Sequence, residues 1–142
     1  MTNSTALNPA NAYREISEQF ADDAAFLWLL RSVAVNQPHY KLEDMAELEN
    51  RIQANLKGLL CNTELAWQLC LEALGHEQAG EAFTAAFLAF TSQNFEKIQV
   101  IIDHASTNED TFKGVVSAMG WLDESLVAAS IQALLASKQQ EK

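Results

Sequence analysis

A chain of 142 residues with 49% hydrophobic and 20% charged residues can bury one core without a disulfide or a metal, which excludes disorder except at the ends. Nine Lys and Arg stand against 19 Asp and Glu, a formal net charge of -10, with the acids spread along the whole chain. No basic stripe is left to neutralise phosphates, so neither nucleic acid nor an anionic membrane is expected as a partner, and the charge reads first as solubility.

The chain opens Met-Thr-Asn-Ser-Thr, with neither a basic segment nor a long apolar one behind it, so no secretory signal is expected. Its longest apolar run, Ala24 to Leu30, falls far short of the roughly 20 residues that a spanning helix needs. A cytoplasmic location is the resulting expectation. Cys61 and Cys70 each fall in an apolar stretch and read as small buried hydrophobes; their spacing matches neither a redox pair nor a zinc site.

Strand signals are nearly absent, and apolar residues recur at intervals of three and four, which is helical spacing. The first helix is expected from Asn8-Pro9, a capping Asn before a Pro at the first helical position, or from a later start near Tyr13. Ile16, Phe20, Ala24, Leu27 and Leu30 form one face, and Phe26, Trp28 and Leu29 widen it almost all round, which predicts deep burial of the second half. Pro38 ends this helix.

A second helix, about Lys41 to Leu60, carries Leu42, Met45, Leu48, Ile52, Leu56 and Leu59 on one face and a Glu47–Arg51 pair at i, i+4 on the other. Asn62 caps a third, Thr63 to Leu74, which Gly75 stops. The fourth, about Gln78 to Ser92, alternates small and large residues, so that a neighbouring helix can approach closely. The fifth starts near Asn94 and carries Phe95, Ile98, Ile101, Ile102 and Ala105. After a polar break at Ser106 to Glu109, the sixth runs from about Asp110 to Met119. Asp123 caps the seventh, which carries Leu126, Val127, Ile131, Leu134 and Leu135.

The result is an all-α chain of about seven helices in one domain spanning residues 1–142, with 1–12 and 138–142 expected to fray. Helix starts near 62, 94 and 123 are about thirty residues apart, the rhythm of helical-hairpin repeats. Phe83 with Phe87 and Phe112 with Val116 hint at equivalent positions. Antiparallel hairpins stacked as a HEAT-like solenoid, or a compact bundle in which the last helix packs back on the core, both fit. The apolar side of that last helix also suits the front part of a longer repeat protein.

Signals for chemistry are weak. His76-Glu77 begins like a zinc-protease motif, but Gly80 stands where the second His is needed, and His39 and His104 are isolated. Of the acidic pairs Asp22-Asp23, Glu43-Asp44, Glu109-Asp110 and Asp123-Glu124, three lie at helix starts, where the macrodipole accounts for them. No phosphate loop, dinucleotide fingerprint or nucleophile elbow is found, and Ser117 and Ser130 lie inside helices. No catalytic, cofactor-binding or metal residue is therefore assigned, and no cofactor is expected. Trp28, Trp67 and Trp121 read as core, although a Trp left exposed would be a binding anchor.

Several blocks occur together: AAFLWLLR from Ala24 to Arg31, PHY from Pro38 to Tyr40, LEDMAELENRIQANLKGL from Leu42 to Leu59, Trp67 with Cys70, GEAFTAAFLAF from Gly80 to Phe90, and VVSAMGWL from Val115 to Leu122. In their order and spacing, over about residues 20 to 122, the chain resembles the N-terminal part of a bacterial family of HEAT-repeat-like proteins. The resemblance implies a helical repeat fold that continues past this chain's end. It also implies, through a loose link to type six secretion loci, an adaptor or chaperone-like role for a secreted effector. The family has no established catalytic residues, so none is transferred.

The sequence thus points to a non-catalytic protein–protein interaction module. The face of helices two, four and six is the expected binding side, because alternate helices line one side of a solenoid. A structural or self-associating domain, and a helical ligand-binding domain or enzyme whose site assembles from distant residues, remain as alternatives.

Overall fold

The helical spacing is realised throughout. The computed structural model describes the backbone of residues 9–140 and the side chains of 12–132. Among the described residues there are seven α-helices: α1 (Pro9–Ala34), α2 (Leu42–Leu59), α3 (Thr63–Leu74), α4 (Ala79–Ser92), α5 (Phe95–Ala105), α6 (Glu109–Gly120) and α7 (Glu124–Gln140). A 3₁₀ turn at Leu60–Asn62 carries α2 into α3 without a non-helical residue, so the helices form six uninterrupted runs. Pro9 begins α1, the earlier of the two starts considered, while its expected cap Asn8 lies outside the described residues. Of the segments expected to fray, 9–12 and 138–140 are helical, and 1–8 and 141–142 lie outside the described residues.

Local chemistry sets the helix starts. The first amides of a helix have no partner inside it, and a side-chain oxygen just before the helix supplies one. Asn94 Oδ1 accepts from the amides of Glu96 and Lys97 at 2.9 and 3.2 Å. Asn108 Oδ1 accepts from Thr111 at 2.9 Å, and Asp123 Oδ1 from Ser125 at 2.9 Å. Asn62 holds a longer contact, 3.5 Å, to the Leu65 amide. The ends are less conventional. Gly75 follows α3 in a right-handed conformation, and the left-handed positions fall on Glu77 and Gln93, with φ of 58° and 55°.

Packing is organised on α4, which touches α1, α3, α5, α6 and α7. That is a compact bundle around a central helix, and α7 packs back on it. Burial takes nearly the whole circumference of α4, including Gly80, Ala82, Phe83, Thr84, Ala85, Ala86, Leu88, Ala89 and Phe90. The buried Thr84 hydroxyl donates back to the Gly80 carbonyl at 3.0 Å, so it leaves no unsatisfied donor.

Small residues let the backbones meet. A methyl group on Gly80 would stand 2.5 Å from the Ala25 carbonyl oxygen of α1, and one on Gly114 of α6 would collide with the Ala79 carbonyl oxygen of α4. Beside these contacts, Trp28 of α1 stacks on Phe83 of α4 with centroids 5.8 Å apart, and Phe83 meets Trp121 edge-on at 5.7 Å. The Trp28 indole N–H donates to Ser117 Oγ of α6 at 2.7 Å. These contacts bind α1, α4 and α6 into one unit.

Several expectations are corrected. The second half of α1 is buried on one side only: Ala24, Leu27 and Trp28 face the core, while Phe26 and Leu29 are exposed. Cys70 is buried, but Cys61 is exposed, because it lies in the 3₁₀ turn, none of whose residues is buried. Glu47 and Arg51 do not pair; the ion pairs among the described residues join different helices, Arg14–Glu72, Arg31–Glu49 and Lys97–Glu64. Beyond its first turn helix α4 contributes little exposed face, because it is the core of the bundle. Phe83 is fully buried and Phe112 and Val116 are exposed, so those pairs do not occupy equivalent environments.

Candidate interaction surface

The groups singled out as chemical candidates are not brought together. His39 lies beside Tyr40 in the turn after α1, exposed, and His76 is exposed after α3. His104 is half-buried near the end of α5. Among the described residues no group of three or more His, Cys, Asp or Glu could hold a metal ion. The Cys70 thiol is pushed up to about 12, first by burial and then by the Asp22 charge, so it stays protonated and a poor nucleophile at neutral pH. Ser117 is taken by the Trp28 indole, and Ser130 is buried in α7. Glu43-Asp44 and Glu109-Asp110 stand in the first turns of α2 and α6, as their macrodipole explanation requires.

Among the described residues three hollows are open to solvent, and no hydroxyl in their walls is hydrogen-bonded to a carboxylate, Lys or His side chain. One of 450 Å³ lies at the α1–α2 turn, with Arg31, Tyr40, Lys41 and Glu49 in its wall. A polar one of 420 Å³ shares Arg31 and Glu49 and is closed by Asn50, Gln53 and the half-buried Trp121. Their central cation is already engaged, since Arg31 Nη2 stands 2.7 Å from Glu49 Oε2. A third hollow of 350 Å³ lies over Trp67, where Lys97 sits 5.5 Å from the ring and 3.3 Å from Glu64. Trp28 and Trp67 are therefore core, and Trp121 is the indole nearest to solvent.

Among the described residues several large apolar side chains stay exposed, Leu42 of α2 and Phe112 and Val116 of α6 among them, and three form a stripe on the outer face of α1. Phe26, Leu29 and Val33 are 62%, 51% and 52% exposed, and their spacing of three and four places them on one stripe, opposite the buried Ala24 and Leu27. Asp22 continues the stripe one turn earlier. Beside it a groove of 240 Å³ opens between α1 and the start of α4. Phe26 and Leu29 wall it, Ala25 and Gly80 form its floor, and Asp22 and Glu81 stand at its rim. The floor is fixed by the close Ala25–Gly80 backbone approach, and Gln78, the residue before α4, completes the lining. Monomeric proteins seldom expose contiguous large apolar side chains, and such patches mark contact surfaces.

The electrostatics of this face are one-sided. The two arginines of α1 are drawn to other helices, Arg14 to Glu72 of α3 at 3.5 Å and Arg31 to Glu49 of α2 at 2.7 Å. Among the described residues Glu18, Asp22, Asp23 and Glu81 form no ion pair. Partial burial, then the charges of Glu18 and Asp23, raise the Asp22 carboxyl above its ordinary value. The native state therefore binds this proton more tightly than the unfolded chain does. The contribution to stability is present below the unfolded pKa and is lost as pH rises through the folded one. Asp22→Asn is accordingly expected to raise the melting temperature at neutral pH and to leave it unchanged below about pH 3. Thermal unfolding followed by circular dichroism at both pH values checks this; a lower melting temperature at neutral pH contradicts it.

Comparison with family models, with curated proteins and with solved structures found no match. Among the described residues no helix is long and apolar enough to cross a membrane.

Proposed function

We infer that the chain is a non-catalytic protein-interaction module that uses the outer face of α1 to hold a partner. The observation that supports this is the exposed Phe26–Leu29–Val33 stripe beside a groove lined by Asp22 and Glu81. Burying a fully exposed Phe or Leu is worth about 1.5–3 kcal/mol. These three are half-exposed, so a partner covering them regains roughly half that amount for each. The resemblance of the sequence to HEAT-repeat-like proteins, which no family model matches, points to the same class. With its link to secretion loci it favours a cytoplasmic adaptor.

The test is affinity capture with the full chain and with a Phe26→Ser/Leu29→Ser variant. Both residues are about half-exposed, so the variant keeps its helical fold, with a melting temperature lowered by the loss of the part of each side chain already buried and by the weaker helix propensity of Ser. The same partner should be recovered with the parent chain and lost with the variant. Equal recovery by both chains would remove α1 from the interaction.

A further inference from the structure

We propose that the outer face of α1 receives a basic amphipathic helix of a partner protein, its apolar stripe on Phe26, Leu29 and Val33 and its Lys or Arg side chains against Asp22 and Glu81. This rests on the interaction reading above and adds to it the chemistry of the partner. From Phe26 to Val33 the stripe covers about 10 Å of helix axis, two turns, and matches side chains repeated at three and four on a facing helix. The adjoining groove of 240 Å³ is open to solvent and lies below the roughly 300–1,000 Å³ of small-molecule sites, so it suits a side-chain knob better than an enclosed ligand.

Charge selects among the possible occupants. The rim of the groove is acidic on both sides, Asp22 on α1 and Glu81 on α4, with Glu18 and Asp23 close by on α1 and no ion pair to any of them among the described residues. A second copy of the chain would bring the same acids to the same face, and each copy carries a net charge of -10. An anionic lipid surface meets the same repulsion. A cationic helix instead relieves the repulsion among Glu18, Asp22 and Asp23, which adds to partial burial in raising the Asp22 carboxyl. Complementary charge of this kind sets partner choice and association rate more than bare affinity.

The experiment uses the full chain and a labelled synthetic peptide of about 18 residues, long enough to form a helix. It carries Leu at three- and four-residue spacing, flanked by Lys. A second peptide keeps the Leu residues and replaces every Lys by Glu. Fluorescence anisotropy should show binding of the Lys peptide and none of the Glu peptide. Phe26→Ser/Leu29→Ser should weaken the Lys peptide by about tenfold or more. Asp22→Asn/Glu81→Gln should weaken it by about threefold, with the loss shrinking at high salt. Four results overturn the proposal: no binding of the Lys peptide; equal binding to the Phe26/Leu29 variant, which is attraction to an acidic surface only; equal binding of the Glu peptide; or dimerisation through this face in sedimentation. If any of these occurs while the Phe26/Leu29 variant still loses a captured partner, the interaction reading stands and only the class of partner falls.

Discussion

Gly114→Ala is expected to lower the melting temperature by about 3–6 °C. In an open helix this substitution stabilises by about 1 kcal/mol through helix propensity. Here the added methyl would meet the Ala79 carbonyl oxygen, the Phe83 amide nitrogen at 2.9 Å and the Ala82 methyl at 3.0 Å. The first two belong to the backbone of α4 and cannot rotate away, so α6 must move off the central helix. Overpacking of this kind costs about 1–3 kcal/mol and sometimes more, which outweighs the propensity gain. Gly120, near the end of the same helix, provides the comparison. Nothing lies within 4 Å of a methyl placed there, so Gly120→Ala should leave the melting temperature unchanged or raise it. Calorimetry on the two variants decides the matter. Equal melting temperatures would show that α4 and α6 are not in backbone contact.

Phe83→Ala is expected to be costlier still. The ring is fully buried, and it is the shared neighbour of Trp28 and Trp121. Truncating a buried Phe costs about 3–5 kcal/mol. That approaches the lower end of the roughly 5–15 kcal/mol that holds a domain together. The variant should lose its near-ultraviolet circular dichroism, because both flanking indoles lose their fixed surroundings, and it should unfold at a much lower urea concentration. A second phenylalanine separates fold from function. Phe26 is 62% exposed, so Phe26→Ala should change stability little while weakening partner binding. A small effect of Phe83→Ala on urea unfolding would contradict the central position of α4.

The helix boundaries were legible because their causes are local. Asn62, Asn94 and Asp123 each precede a helix and do what a short polar side chain at that position does, accepting a bond from an amide two or three residues on. The all-α class followed from spacing alone. Two things were less legible. In AAFLWLL, from Ala24 to Leu30, nearly every residue is apolar, so periodicity cannot say which side faces in; only the position of α4 decides that Trp28 is core and Phe26 is surface. The central place of α4 did have a signal. Between Ala79 and Ser92 there is one charged residue, Glu81, and a helix that is apolar or small all round is a buried one. Gly80 and Gly114 carried a signal too, since Gly inside a helix is costly unless a neighbour needs the space.

The same facts explain why the surface had no motif to announce it. Phe26, Leu29 and Val33 become a site only after Ala24, Leu27 and Trp28 have taken the opposite side of α1 against the bundle. Asp22 and Glu81 are 59 positions apart in sequence (81 minus 22) and meet at one groove because Ala25 and Gly80 touch. The uncompensated charge is likewise a product of packing, since the two arginines of α1 are drawn to α2 and α3.

The most direct measurement places a photoreactive side chain at Leu29, on the α1 face, and in a second protein at Glu47, on the polar side of α2, and crosslinks each in native cells. The account predicts a discrete protein adduct from Leu29 that is absent from Glu47. Adducts of equal yield from both positions, or from Glu47 alone, would contradict it.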